Sequence, residues 1–180
     1  MSLMSQIAVI VYCVVILACV AAMRVAAQHP DRRRDMAHWL AAAAVFAGLA
    51  AFRIGQVEER LRDFAREVSQ ADGVYELRAE VQVPLVILTG LAGLGMMVLF
   101  VRLWRRERPG SRARLVLLSR FALLGLVPLF GLRLVSLHQV DYVLYSGPLR
   151  INWLIEGAIC AAVGGSAAVY TLRKRTRKLR

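Results

Sequence analysis

Apolar residues in this chain fall into long runs separated by short charged stretches, and most runs are apolar all the way round. Five of them are long enough to cross a bilayer, for which a helix needs about 20 residues. They lie at about 7–27, 36–56, 83–103, 114–138 and 151–172. The third opens with Pro84, which suits the first turn of a helix. The fourth is interrupted by Arg120 and Arg133, the fifth by Glu156. The pattern predicts an all-α membrane protein, a bundle of five transmembrane helices in one domain over 1–180.

The stretch between the second and third runs, 57–82, reads differently. Val57, Leu61, Phe64, Ala65 and Val68 recur at helical spacing among Glu58, Glu59, Arg60, Arg62, Asp63, Arg66 and Glu67. That is an amphipathic helix, expected as an outward extension of helix two. After the Asp72-Gly73 turn signal, YELRAEVQV alternates from Tyr75 to Val83. A lone strand has no partner to pair with, so this is expected to be an extended lead-in to helix three.

Charge fixes the expected threading. One set of flanks, with the C-terminal tail and Arg120, carries 17 of the 24 basic residues and only Asp31, Asp35 and Glu107 of the 12 acids. Basic loops stay in the cytoplasm. The N-terminus is therefore expected outside and the C-terminus inside, in a bacterial-type inner membrane. The uncharged MSLMSQ lacks a signal peptide's basic region, so the first run reads as a retained helix. The net charge of +12 then belongs to cytoplasmic flanks. RKRTRKLR points to anionic lipid, and nucleic acid is not an expected partner. Small-residue pairs, Ala44 with Gly48, the GLAGLG run and Gly164 with Ala168, offer close helix packing within the chain or against a partner subunit or second copy. The cysteines, Cys13, Cys19 and Cys160, read as small buried hydrophobes.

Candidate chemistry gathers in LRLVSLHQVDYVLYSGPLRINWLIE, 132–156. Helix four runs outward past Arg133, helix two ends near Arg53, and Glu156 lies about 9 Å into helix five. These three charges share a depth on three helices. Ionised groups are costly in lipid, so they should face inward and pair. Glu156 with Arg133 is the natural pair, and Arg53 the second candidate. His138 and Asp141 at i, i+3, and Asp141 and Tyr145 at i, i+4, form a ring above them. Asn152 shares a face with Glu156, and Trp153 with Tyr142 and Tyr145 suits an interfacial belt.

Three readings of Arg53, Arg133, His138, Asp141, Tyr145, Asn152, Trp153 and Glu156 stay open. They can form an outer-leaflet pocket for an anionic or quinone-like amphipathic ligand. They can be a structural clamp in a non-catalytic accessory or assembly subunit. A catalytic role for His138, oriented by Asp141, is the third and least favoured reading, because it lacks a well-placed nucleophile; no catalytic residue is assigned. No cofactor or metal is expected. His29 and His38 lie across the membrane from His138, which argues against a bis-His haem, and no C-x-x-C-H, H-E-x-x-H or phosphate-binding loop is present.

Overall fold

The computed structural model describes residues 3–28, 33–57, 60, 77–129 and 151–175. The helices named among them are α1 (Leu3–Ala27), α2 (Arg33–Ile54), α3 (Leu77–Arg106), α4 (Arg112–Leu124) and α5 (Ile151–Arg175). No strand occurs among the described residues. Four helical stretches among the described residues are long and apolar enough to cross a membrane: Ser5–Ala27, Arg33–Ile54, Ile87–Arg106 and Trp153–Arg173.

The core is built from small residues and a few rings. On α1 the buried positions are Ala8, Tyr12, Val15, Cys19, Ala22, Val25 and Ala26. Apart from Val25 they alternate four and three residues apart, the seam that lets one helix follow another. α2 answers with Trp39, Ala42, Ala43, Phe46 and Ala50, and α5 with Ile159, Cys160, Val163, Ala167 and Tyr170. α1 packs against both α2 and α5, while α4 packs on α5 and α3 packs chiefly on α4. Tyr12 meets Phe46 with ring centroids 5.8 Å apart.

Large apolar side chains point outward instead. Ile10, Val14 and Leu17 on α1, and Leu91, Leu94 and Met97 on α3, are all more than half exposed. Small residues inside and large apolar ones outside is how helices pack when the surroundings are lipid. Gly164 shows the close approach: a Cβ added there would lie 3.3 Å from the Val15 side chain. The other small-residue faces do not pack this way. Gly48, Gly90, Gly93, Gly95 and Gly165 have open space where a Cβ would go. Cys19 and Cys160 are buried as expected, but Cys13 is exposed on the outer face of α1.

Three local expectations are corrected. The second helix does not run on into the amphipathic segment. It ends at Ile54, the Gly55 N–H closes on the Ala51 carbonyl at 2.9 Å, and Gln56 takes φ 51°. A left-handed residue ends a helix, whatever periodicity follows. The amphipathic face at 61–68 lies outside the described residues. The expected extended lead-in is helical instead. α3 begins at Leu77, so Pro84 sits well inside it. Leu, Arg, Ala, Glu and Gln are strong helix formers, and their propensity outweighs a short alternation. Pro84 leaves the Glu80 carbonyl without its helical donor. The fourth run is broken as well. α4 stops at Leu124, turns at Gly125 and resumes over 126–129. Pro128 has no N–H for the Leu124 carbonyl and crowds it. The rest of that run, 130–138, lies outside the described residues.

The α3–α4 corner is tightly specified. Arg108-Pro109-Gly110-Ser111 closes with Ser111 N–H on the Arg108 carbonyl at 3.0 Å, and Gly110 takes φ 73°. Proline then glycine at the centre of a turn is what a type II geometry requires. Ser111 caps α4 by accepting from Arg114 N–H at 3.2 Å. The Arg114 side chain donates to the Trp104 and Glu107 carbonyls, both at 3.0 Å, so it satisfies the open end of α3. Its guanidinium also lies 5.0 Å from the centre of the Trp104 ring.

Candidate functional site

Arg53 stands in the last turn of α2, where a cation complements the helix dipole. Glu156 stands in the second turn of α5. The antiparallel run of the two helices brings these ends together. Arg53 Nη2 donates to Glu156 Oε2 at 3.1 Å and to Oε1 at 3.3 Å. Glu156 is buried, and its side chain is 8% exposed against 19% for Arg53. Trp153 lies one turn before Glu156 on the same face, and its ring centre is 5.5 Å from the Arg53 guanidinium carbon. Arg53 is therefore held by a carboxylate and an aromatic face together.

Beside this group a groove opens between α1 and α5. Its walls are Ile7, Ala8, Val11 and Tyr12 on one side and Trp153, Glu156, Gly157 and Cys160 on the other. It holds about 80 Å³, and its surface is almost wholly apolar. That is too small to enclose a drug-sized molecule, which takes several hundred Å³. It suits one narrow apolar chain lying against the bundle.

Of the eight expected site residues, Arg53, Trp153 and Glu156 come together. Asn152 is in α5, one turn before Glu156, and its side chain is not described. Arg133, His138, Asp141 and Tyr145 lie outside the described residues. The ion pair seen is the second candidate, Arg53 with Glu156; the Arg133–Glu156 pair falls on a residue that is not described. No cluster of His, Cys, Asp or Glu able to hold a metal occurs among the described residues.

A second polar group sits at the opposite end of the α2–α5 pair, and the sequence reading missed it. Tyr170 O–H donates to Asp35 Oδ2 at 2.9 Å. His38 Nε2 and Ser119 Oγ share a hydrogen bond at 3.0 Å. Trp39 packs edge-on against Tyr170 at 5.5 Å and against His38 at 4.9 Å. Arg112 lies over the other side of Tyr170, 5.0 Å from the ring centre. Its parts had been read separately, Asp35 as a flank charge and His38 as a failed haem ligand. The usable signal was that Asp35, His38 and Trp39 share one phase of α2 with the buried alanines. A Ser–His contact invites a catalytic reading, but Ser119 is completely buried and presents no face to a substrate. Trp39 Nε1 and Ser166 Oγ are buried here with no hydrogen-bond partner among the described residues.

Between Glu156 and Ser166 the buried face of α5 is Ile159, Cys160 and Val163. From Glu156 to Ser166 is about 15 Å at the helical rise. Residues 1–156 match DUF8692, a domain of unknown function. The chain belongs to the DUF8692 family. No curated protein and no solved structure matches it. The DUF8692 match takes in Arg53 and Glu156 with the whole 132–156 stretch.

Proposed function

We propose that this DUF8692 protein is a multi-pass membrane protein that binds an amphipathic ligand against the Arg53–Glu156 pair. Its threading follows the basic flanks: five spans, N-terminus outside, C-terminus cytoplasmic, in a bacterial-type inner membrane. The site then lies in the outer leaflet. The observation that carries the reading is the apolar groove between α1 and α5, whose lining includes Glu156, the residue that pairs with Arg53. An ionised pair alone needs no groove beside it.

The chemistry favours a quinone-like or quinol-like head over an anionic one. Glu156 already neutralises Arg53, and the groove beside the pair is apolar, which leaves no free cation there for an anionic head. One isoprenoid or acyl chain would fill the apolar walls.

A structural clamp in an accessory or assembly subunit is the second reading. The double contact of Arg53 Nη2 on both carboxyl oxygens, backed by Trp153, favours it. Native mass spectrometry from mild detergent separates the two. A binding protein carries a discrete adduct of lipid-like mass, lost in Arg53→Met with Glu156→Gln while the helical content persists. A clamp carries no adduct, and its single variants unfold more readily than the double one.

A further inference from the structure

The arginines near the α3–α4 corner fall into two classes. Arg112, Arg114 and Arg173 are used by the protein itself. They cover the Tyr170 ring, satisfy the end of α3 and donate to the Gly110 carbonyl. Arg102, Arg105, Arg106 and Arg108 are different. All four are exposed, and none has an ion pair or side-chain hydrogen bond among the described residues. Glu107 is the single acid between them, and it too forms no ion pair there.

Arg102 stands three and four residues before Arg105 and Arg106, so these three crowd one face of α3. Like charges at that spacing destabilise a helix, and an anion laid across them removes the cost. They also follow directly on the exposed apolar stretch from Ile87 to Val101, with Trp104 at the boundary. A charged ring at the end of a lipid-facing helix is at headgroup level. Arginine's planar fork matches phosphate oxygens in pairs.

We propose that Arg102, Arg105, Arg106 and Arg108 form a docking site for anionic phospholipid headgroups of the leaflet on the C-terminal side. The site rests on the membrane reading and is independent of the α1–α5 groove. It differs from a general basic flank because three neighbouring arginines hold the corner rigid, leaving four aimed outward.

The test uses the full chain in mild detergent, with phosphatidylglycerol and phosphatidylcholine of identical acyl chains, read by native mass spectrometry. The wild type should retain phosphatidylglycerol about tenfold over phosphatidylcholine, a modest share of what four surface arginines can supply. R102Q/R105Q/R106Q/R108Q should lose most of that preference and keep only the part the remaining basic flanks supply. The matching four-lysine variant should keep the preference and guards against a folding artefact. Gly157→Phe, in the groove, should leave it unchanged, so loss of the groove reading does not touch this one. The proposal is overturned if the four-glutamine variant keeps the wild-type preference, if the wild type has none, or if inorganic phosphate alone displaces the lipid.

Discussion

The two ends of the α2–α5 pair solve the same problem in opposite ways. Each must tie together helices whose nearest neighbour is α1 or α4. At one end Arg53 and Glu156 do it with charge, beside a groove. At the other, Tyr170, Asp35, His38 and Ser119 do it with hydrogen bonds and stacked rings, with Ser119, Trp39 and Tyr170 wholly buried. Asp35 and Arg53 are eighteen residues apart on α2, about 27 Å, which is close to the thickness of a bilayer's hydrocarbon core. A closed, ring-filled group has no space for anything but itself. An ion pair left against an open apolar groove does. That contrast is why the ligand is placed at Arg53–Glu156 and not at the Ser–His contact.

Breaking each end in turn tests the contrast. The largest effect is expected from Glu156→Ala. It takes the Glu156 carboxylate from the half-buried Arg53 guanidinium, a loss of about 3 kcal/mol, and Arg53→Met added to it should restore part of that. Unfolding in mixed micelles by dodecyl sulfate titration reads both values; equal losses for the single and double variants would remove the ion pair from the account. Tyr170→Phe is next, at about 2 kcal/mol, because the hydroxyl bonds a carboxylate and no other change is made. The same titration checks it, and an unchanged midpoint would show that the closed end is held by its rings alone.

Packing between the ends comes third. Gly164→Ala should cost about 1 kcal/mol, since Val15 must give way by a few tenths of an ångström, and Gly48→Ala should cost nothing or stabilise slightly because its site is open. A reversed order would mean that α1 and α5 are not in contact at Gly164. The smallest effect belongs to Ser166→Ala. Its hydroxyl is buried without a partner among the described residues, so its removal should change stability by under about 0.5 kcal/mol or raise it. A clear loss would reveal a partner for that oxygen.

Much of the fold was legible because lipid imposes simple rules. Long apolar runs gave α1, α2, the lipid-facing part of α3, and α5 close to their observed limits. What failed was local and had a local cause. Gln56 in the left-handed region ended α2 where periodicity promised continuation, and good helix formers at 77–82 overrode an apparent alternation. Helical depth was enough to place Arg53 level with Glu156 from the sequence. The sequence reading put Arg133 before Arg53 as the partner of Glu156, a ranking that depth does not support, because depth fixes height and not the direction in which a side chain leaves its helix; the pair seen is with Arg53, and Arg133 lies outside the described residues. The Asp35–Tyr170 end was illegible for a related reason. Its residues are separated by more than 130 positions, and each looked like an ordinary flank residue until the antiparallel packing brought them together.

The central claim is that the α1–α5 groove holds the chain of an amphipathic ligand. Gly157 lines that groove, and nothing lies within 4 Å of a Cβ placed on it. Gly157→Phe therefore adds a ring at the groove while Arg53 and Glu156 are both retained. Native mass spectrometry of this variant beside the wild type is the most direct test. The account predicts a lipid-like adduct on the wild type that is absent from the variant, with the same unfolding midpoint for both. An adduct that survives in the variant, or a wild type that carries none, would contradict it and leave Arg53–Glu156 as a clamp.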